Sequence, residues 1–283
     1  MPWILLLALS LSACDTPLRV LSYNVENLFD DTSSGREYLE FRGPRWNDEL
    51  YPRKLAALSR AIRRSCRGGP DVVLLQEVES EQALLDLRDR GLARLGYRQA
   101  VLAPDSTPAA GAGAEAEPIT RVAVRSRLPV RRTRLYPTGT FQGMVQRPIL
   151  EVELEVRGRT LILFNSHWKS RIGGAEATQA GRRLSAEVLA RRLRAILDDD
   201  PAAEVVAAGD LNLNLEELDS PPLLATAERR RAGLSEAGVR LYDPWYELPY
   251  PERGSAAYPP RLRAYGFAVT GARPRRSVST RVT

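Results

Sequence analysis

Histidine is all but absent from this chain: His167 is the one example in 283 residues. Cysteine is nearly as scarce, with only Cys14 and Cys66. So few thiol and imidazole groups exclude a zinc cluster, and two cysteines exclude a disulfide framework. Acidic residues are missing from one stretch, Gly254 to Thr283, which holds six arginines and no Asp, Glu or Lys. That stretch supplies the whole net charge of +6, because 35 basic residues face 35 acidic ones over positions 1 to 253. With a neutral body and a basic tail, a pI near 9.6 says little about the partner. Long apolar runs are missing too, and the longest candidate, Met1 to Ala13, is too short to span a bilayer. What remains is 43% hydrophobic and 27% charged, the balance of a soluble globular protein with room for a sizeable core.

Met1 to Ala13 sits where an export signal would, and Leu11 to Cys14 read L-S-A-C. This ending resembles the lipobox of bacterial lipoproteins, although no Lys or Arg precedes the apolar run. The resemblance implies lipidation at Cys14 and attachment to a membrane of the bacterial envelope.

The body opens with a strand from Leu18 to Asn24, then a charged loop with Gly and Pro from Phe29 to Asn47. Leu55, Leu58 and Ile62 recur at helical spacing within Tyr51 to Ser65, and Gly68-Gly69-Pro70 stops that helix. Asp71 to Gln76 is an apolar run of the kind buried on both faces, and it ends on Glu77. A short helix, Ser80 to Arg90, and a strand, Tyr97 to Leu102, precede a low-complexity loop from Thr107 to Glu117. From Arg121 to Phe164 strand follows strand, with a half-exposed alternation at Ile149 to Val156 and a hairpin turn at Arg157-Gly158. A long helix from Ala175 to Leu197 leads to the buried strand at Glu204, which runs into Gly209, Asp210 and Asn212. Alternating α/β at both ends with an antiparallel middle predicts an α/β fold of two mixed sheets packed face to face, helices outside.

Four of these strands end on polar groups: Asn24, Glu77, His167 and the pair Asp210/Asn212. Strands of packed sheets converge at one rim, so four such ends suggest one shared site. If the last strand continues, Asp210 and Asn212 point to the same side; the competing reading is a turn. The set suits phosphoester hydrolysis with a hard divalent cation. Mg²⁺ takes oxygen ligands, usually one or two carboxylates plus water, which fits Glu77 with Asn24 beside it. Asp210 would orient or deprotonate a water, and Asn212 and His167 would donate to developing charge, an effect worth about 3–4 kcal/mol per donor. Lys169 and Arg171, just after His167, are candidate substrate contacts.

The stretches S-Y-N-V-E-N-L-F-D, D-V-V-L-L-Q-E-V-E, N-S-H-W-K-S-R and A-A-G-D-L-N-L-N resemble the ordered motifs of the endonuclease/exonuclease/phosphatase superfamily, the DNase I-like fold. They are most similar to its secreted bacterial endonuclease-like branch. The resemblance covers Leu18 to Ser255. It implies a four-layered α/β/β/α sandwich, Mg²⁺ (or Mn²⁺) ligands at Asn24 and Glu77, a phosphate-contacting His167, and a catalytic pair at Asp210 and Asn212. Nucleic acid is the expected substrate and a monomer the expected state, with phospholipids and small phosphoesters as alternatives and a binding-only surface lipoprotein as a third. One motif is lacking: the family closes with a strand carrying Asp-His, and residues 256 to 283 contain neither residue. A frameshifted or truncated gene accounts for both the missing motif and the sudden arginine excess, and implies that C-terminal strands are lost.

Cys14→Ser is expected to move the protein from the membrane to the soluble fraction of a bacterial host; unchanged partitioning defeats the lipidation reading.

Overall fold

Alternate residues of the first long strand face different partners. In the computed structural model, Leu18 and Val20 pack into a core between two sheets, whereas Leu21, Tyr23 and Val25 pack toward helices. The structure describes residues 4–9, 18–104 and 118–213, together with the strands 224–227, 233–235, 238–242, 266–270 and 278–282. Cys14 and the low-complexity loop read at 107–117 lie outside the described residues.

The first sheet is built from β1 (Ile4–Leu9), β2 (Leu18–Leu28), β3 (Val72–Val78), β4 (Gln99–Leu102), β5 (Arg121–Ser126) and a strand at Val278–Val282, in the order Val278–Val282, β1, β2, β3, β5, β4. The second contains β6 (Val130–Tyr136), β9 (Ile149–Val156), β10 (Arg159–His167) and β11 (Glu204–Asp210). Between β6 and β9 a small separate hairpin is formed by β7 (Thr140–Phe141) and β8 (Met144–Val145). Beyond β11 come β12 (Leu224–Ala227), β13 (Gly233–Ser235), β14 (Gly238–Tyr242), β15 (Gly266–Thr270) and β16, the Val278–Val282 strand already placed. Three adjacent pairs are parallel, β2 with β3, β10 with β11 and β12 with β14, and β5 and β9 pair antiparallel with β3 and β10.

Three clusters of buried side chains define four layers. The central one joins Val20, Val72 and Leu74 of one sheet to Val152, Leu163 and Val206 of the other. A second lies between the first sheet and the helices α1 (Tyr51–Ser65) and α2 (Glu81–Leu87). The third sets α3 (Gln179–Asp199) on the second sheet through Leu189, Leu193 and Ile196. The α/β/β/α sandwich is therefore the observed fold. Each fully buried Leu or Val contributes roughly 1.5–3 kcal/mol, so these three cores dominate its stability.

Local chemistry sets the helix starts. Ser80 caps α2, its Oγ accepting the Ala83 N–H at 3.0 Å, so the start falls one residue later than Ser80. Gln179 begins α3, four residues beyond the Ala175 expected from the sequence, because Gly173 and Gly174 at positive φ hold a turn ahead of it.

The acids of β9 do not all face solvent as their alternation suggested. Glu151 is fully buried beneath α3, where Arg192 reaches it at 2.7 Å and Tyr136 donates to it at 3.0 Å. Arg134 lies against the same carboxylate, and these partners hold its pKa below the ordinary value against the opposing effect of burial. The basic tail, expected to have lost its strands, supplies two: β15 pairs antiparallel with β11, and β16 with β1. The apolar stretch read as an export signal contributes β1, paired antiparallel with β2.

Gly209 makes the parallel β10–β11 contact possible. Its φ is +136°, and a Cβ built there would lie 1.9 Å from the Ser166 carbonyl oxygen. Gly209→Ala is expected to cost at least about 2–3 kcal/mol, read as a lowered denaturant midpoint at unchanged slope.

Candidate active site

The central core ends in polar groups at one rim. Along β2 the inward series Val20, Ser22 reaches Asn24; along β10 Leu161, Leu163 leads through Asn165 to His167; along β11 Val206, Ala208 leads to Asp210. His167 and Asp210 are direct partners in the parallel ladder. All are buried: Asn24, His167 and Asp210 are 8%, 6% and 1% exposed.

Asn24 joins the two sheets. Its Nδ2 donates to Glu77 Oε1 at 2.9 Å and to Asp210 Oδ2 at 3.0 Å, while its Oδ1 accepts the Glu26 N–H at 2.9 Å. Strict alternation would send Glu77 to the helix side with Val73 and Leu75. A bulge prevents that. The pairing of β3 shifts register at this point against both β2 and β5, and Glu77 adopts a left-handed φ of 68°. The carboxylate thereby turns to Asn24, and its Oε2 accepts the Asn27 N–H at 2.8 Å. Glu26 and Asn27 are themselves left-handed, with φ of 54° and 63°. Such conformations cost on the order of 1–3 kcal/mol each and persist where their surroundings enforce them.

Asn212 reaches the site through a turn, not a continued strand. β11 stops at Asp210, Asn212 has φ 51°, and its N–H donates to Asp210 Oδ1 at 3.0 Å. An Asp side chain offers this local bond more readily than a straight ladder does. The Asn212 carboxamide donates to the Trp168 carbonyl at 3.0 Å. His167 Nε2 stands 3.7 Å from Glu77 Oε1. Asn24, Glu77, His167, Asp210 and Asn212 are thus brought together. Lys169 and Arg171 follow in the loop after β10, both half-buried, with the Lys169 side chain against Gly181.

Several groups that sequence patterns did not single out support this rim. Gln76 Nε2 donates to Asn165 Oδ1 at 2.7 Å, and Asn165 Nδ2 donates to the Leu75 and Ala123 carbonyls at 2.9 Å each. This link ties β10 to the very turn of β3 that carries the bulge. Lys54 of α1 donates to the Glu26 carbonyl at 2.5 Å and so pins the left-handed pair. Burial pushes the Lys54 ammonium down, while Glu26 and Glu77 pull it up. Arg147, at the start of β9, also lies in the field of Glu77 and Asp210. The second acid of the E-V-E stretch, Glu79, faces Asp30 instead, accepting its N–H at 3.1 Å, and burial raises its pKa to about 7.

Among the described residues no three His, Cys, Asp or Glu side chains form a metal cage. A cation here would rely on few protein ligands, which fits Mg²⁺ or Mn²⁺ with its remaining positions filled by water. Glu77 suits that role, because each of its oxygens holds one N–H and retains acceptor capacity. Asn24 turns its N–H₂ to the carboxylates and its oxygen to Glu26, so it orients the acids.

Two packed mixed sheets with acids, carboxamides and an imidazole at one rim have the layout of a DNase I-like sandwich. The chain belongs to the Endonuclease/Exonuclease/phosphatase family, whose sequence profile matches residues 19–261. Sphingomyelinase C from Streptomyces griseocarneus superposes with a TM-score of 0.52 at 22% identity, over 91% of this chain and 86% of that one. The human Nocturnin catalytic domain gives 0.52 at 18% identity, over 89% and 81%. TDP2 from C. elegans gives 0.47 at 18% identity over 70% of this chain, which spans only 48% of that structure. At these identities the likeness is one of fold. A search of curated protein sequences gives no match.

Calorimetric titration with Mn²⁺ is expected to show one weak site that Glu77→Gln abolishes. Lys54→Met is expected to weaken it about tenfold, as loss of an orienting neighbour does. Equal affinity in both variants would remove Glu77 from the metal site.

Proposed function

We propose that this chain hydrolyses phosphoesters with the help of Mg²⁺ or Mn²⁺, and that its bond is the phosphodiester of a nucleic acid. The observation that carries this reading is the Asn24 bridge, which holds Glu77 and Asp210 together beside His167. The cation, held by Glu77, would supply charge stabilisation at the phosphoryl oxygens. Asp210 receives N–H groups at both oxygens, which fix its carboxylate where it would orient and deprotonate a water. His167 would donate to a phosphoryl oxygen. Asn212 would fix Asp210 through its backbone N–H and donate with the second hydrogen of its carboxamide. The choice of nucleic acid follows the motif likeness to the endonuclease-like branch.

A specific feature favours a second substrate, phospholipid. Tyr38, Leu39, Met144 and Ile172 are the exposed large apolar side chains among the described residues. They belong to the loop after β2, the β7–β8 hairpin and the loop after β10, all of which the strand directions bring to the site's rim. Lipidation at Cys14 would tether the chain to a bilayer through the start of β2, the end of that strand away from the rim. Processing there would also remove β1 and free the edge of β2.

β15, next to β11, carries no Asp or His. The acid–base contribution that an Asp-His strand would bring, about 10²–10⁴-fold, is absent, so turnover by this chain should be slow. Plasmid DNA, sphingomyelin vesicles and sugar phosphates, each with Mg²⁺ or Mn²⁺, form the test. DNA is expected to be cut, and Asp210→Asn to lower the rate at least about a hundredfold. Preference for sphingomyelin replaces the nuclease reading with the second one. No turnover of any substrate leaves a protein that only binds.

A further inference from the structure

Arg147 precedes Pro148 and β9, and the antiparallel pairing of β9 with β10 brings it to the rim where His167 and Asp210 end. Thr120 precedes β5, whose antiparallel pairing with β3 brings it to the same rim from the other sheet. The Arg147 side chain spans that gap. Its Nε donates to the Thr120 carbonyl at 2.8 Å and its Nη2 to Thr120 Oγ1 at 3.1 Å. Its own carbonyl accepts the Thr138 hydroxyl at 3.0 Å, and Gln146 is tied to Gly139 at 2.9 Å, so the backbone beneath the side chain is fixed. Pro104, Pro118, Val122 and Pro148 line the cavity around it.

The guanidinium has five N–H donors in a rigid fork, and Thr120 takes only one edge. Glu77 and Asp210 act on it electrostatically, yet neither comes within ion-pair distance of it among the described residues. Burial pushes its pKa below the ordinary value, so desolvation outweighs those two charges. Arg147 is half-buried, and a partly desolvated cation without a paired counter-ion is costly. The cost is offset when the counter-ion is a ligand. The same view from the ligand's side is equally demanding: two carboxylates repel a phosphate, and a fixed cation across the rim relieves that repulsion.

We propose that Arg147 is a substrate-binding residue that receives a non-bridging oxygen of the phosphoryl group, held in position by Thr120. This rests on the phosphoester reading above and names the recognition element on the side of the site facing Glu77 and Asp210. Arginine suits the task better than lysine, because one edge of the fork stays on Thr120 while the other meets the anion.

The test uses the full chain and inorganic phosphate as the probe, followed by calorimetry with Mn²⁺ present. Arg147→Gln is expected to weaken phosphate binding about 10–100-fold, the scale of a charge-assisted hydrogen bond, with Mn²⁺ affinity retained. Arg147→Lys, which keeps charge and stem, is expected to restore only part of the loss, and it carries the comparison if the Gln variant does not fold. On a soluble phosphodiester, KM should rise in both. Wild-type phosphate affinity in the folded variants, or no phosphate binding by the unaltered protein, overturns the proposal. The two readings fail separately. Arg147-dependent phosphate binding without turnover of any phosphoester defeats the hydrolytic function and leaves the anion site. Turnover with an unchanged KM in Arg147→Gln defeats the anion site alone.

Discussion

One amide group holds this structure's two halves in chemical register. Asn24 Nδ2 gives one hydrogen to Glu77 on its own sheet and the other to Asp210 on the opposite sheet. Hydrophobic packing between the sheets is strong but non-directional, and it tolerates sliding by fractions of an ångström. Two short hydrogen bonds to carboxylates do not. The apolar core brings the strand ends near one another, and the Asn24 bridge fixes how near. Beneath it, Asn165 repeats the device, anchoring β10 to the carbonyls of β3 and β5.

The site is also where regular structure is given up. Glu26, Asn27, Glu77 and Asn212 all take left-handed conformations that side chains disfavour. Three are held from another element: Lys54 holds the Glu26 carbonyl, Glu77 accepts the Asn27 N–H, and Asn24 donates to the Glu77 carboxylate; the fourth is held locally, where Asp210 accepts the Asn212 N–H. The strain and its restraints form a closed set, so a change at Lys54 acts on the acids without touching them. Rigidity at the rim therefore comes from bonds between elements more than from any one of them.

Much of this could be read from the letters, for a physical reason. Apolar runs such as Val205 to Ala208 and helical spacing at Leu55, Leu58 and Ile62 are local signals, and the corresponding elements formed where expected. Polar residues at strand ends were legible because burial makes them anomalous. The turn at Asn212 stood as one of two readings, because its partner Asp210 is local; the bulge at Glu77 and the buried Glu151 were not legible, because each depends on partners far along the chain. Arg192 lies 41 residues from Glu151, and Asn24 lies 53 from Glu77. Arg147 escaped notice for the same reason, since an arginine before a proline carries no local mark of what it faces.

The place of β15 separates two kinds of tolerance. Its contacts with β11 run through main-chain N–H and C=O groups, from Glu204 opposite Thr270 to Ala208 opposite Gly266. Such a ladder is blind to side-chain identity: any extended segment of suitable length and modest bulk can occupy the slot. Architecture at this position is thus cheap to preserve. Chemistry is not, because a proton donor or acceptor there has to be a particular side chain at a particular end of the strand. A strand held between two neighbours in this way lets a protein keep its shape while its reactivity changes, and shape alone is then a poor witness to what the molecule can still do.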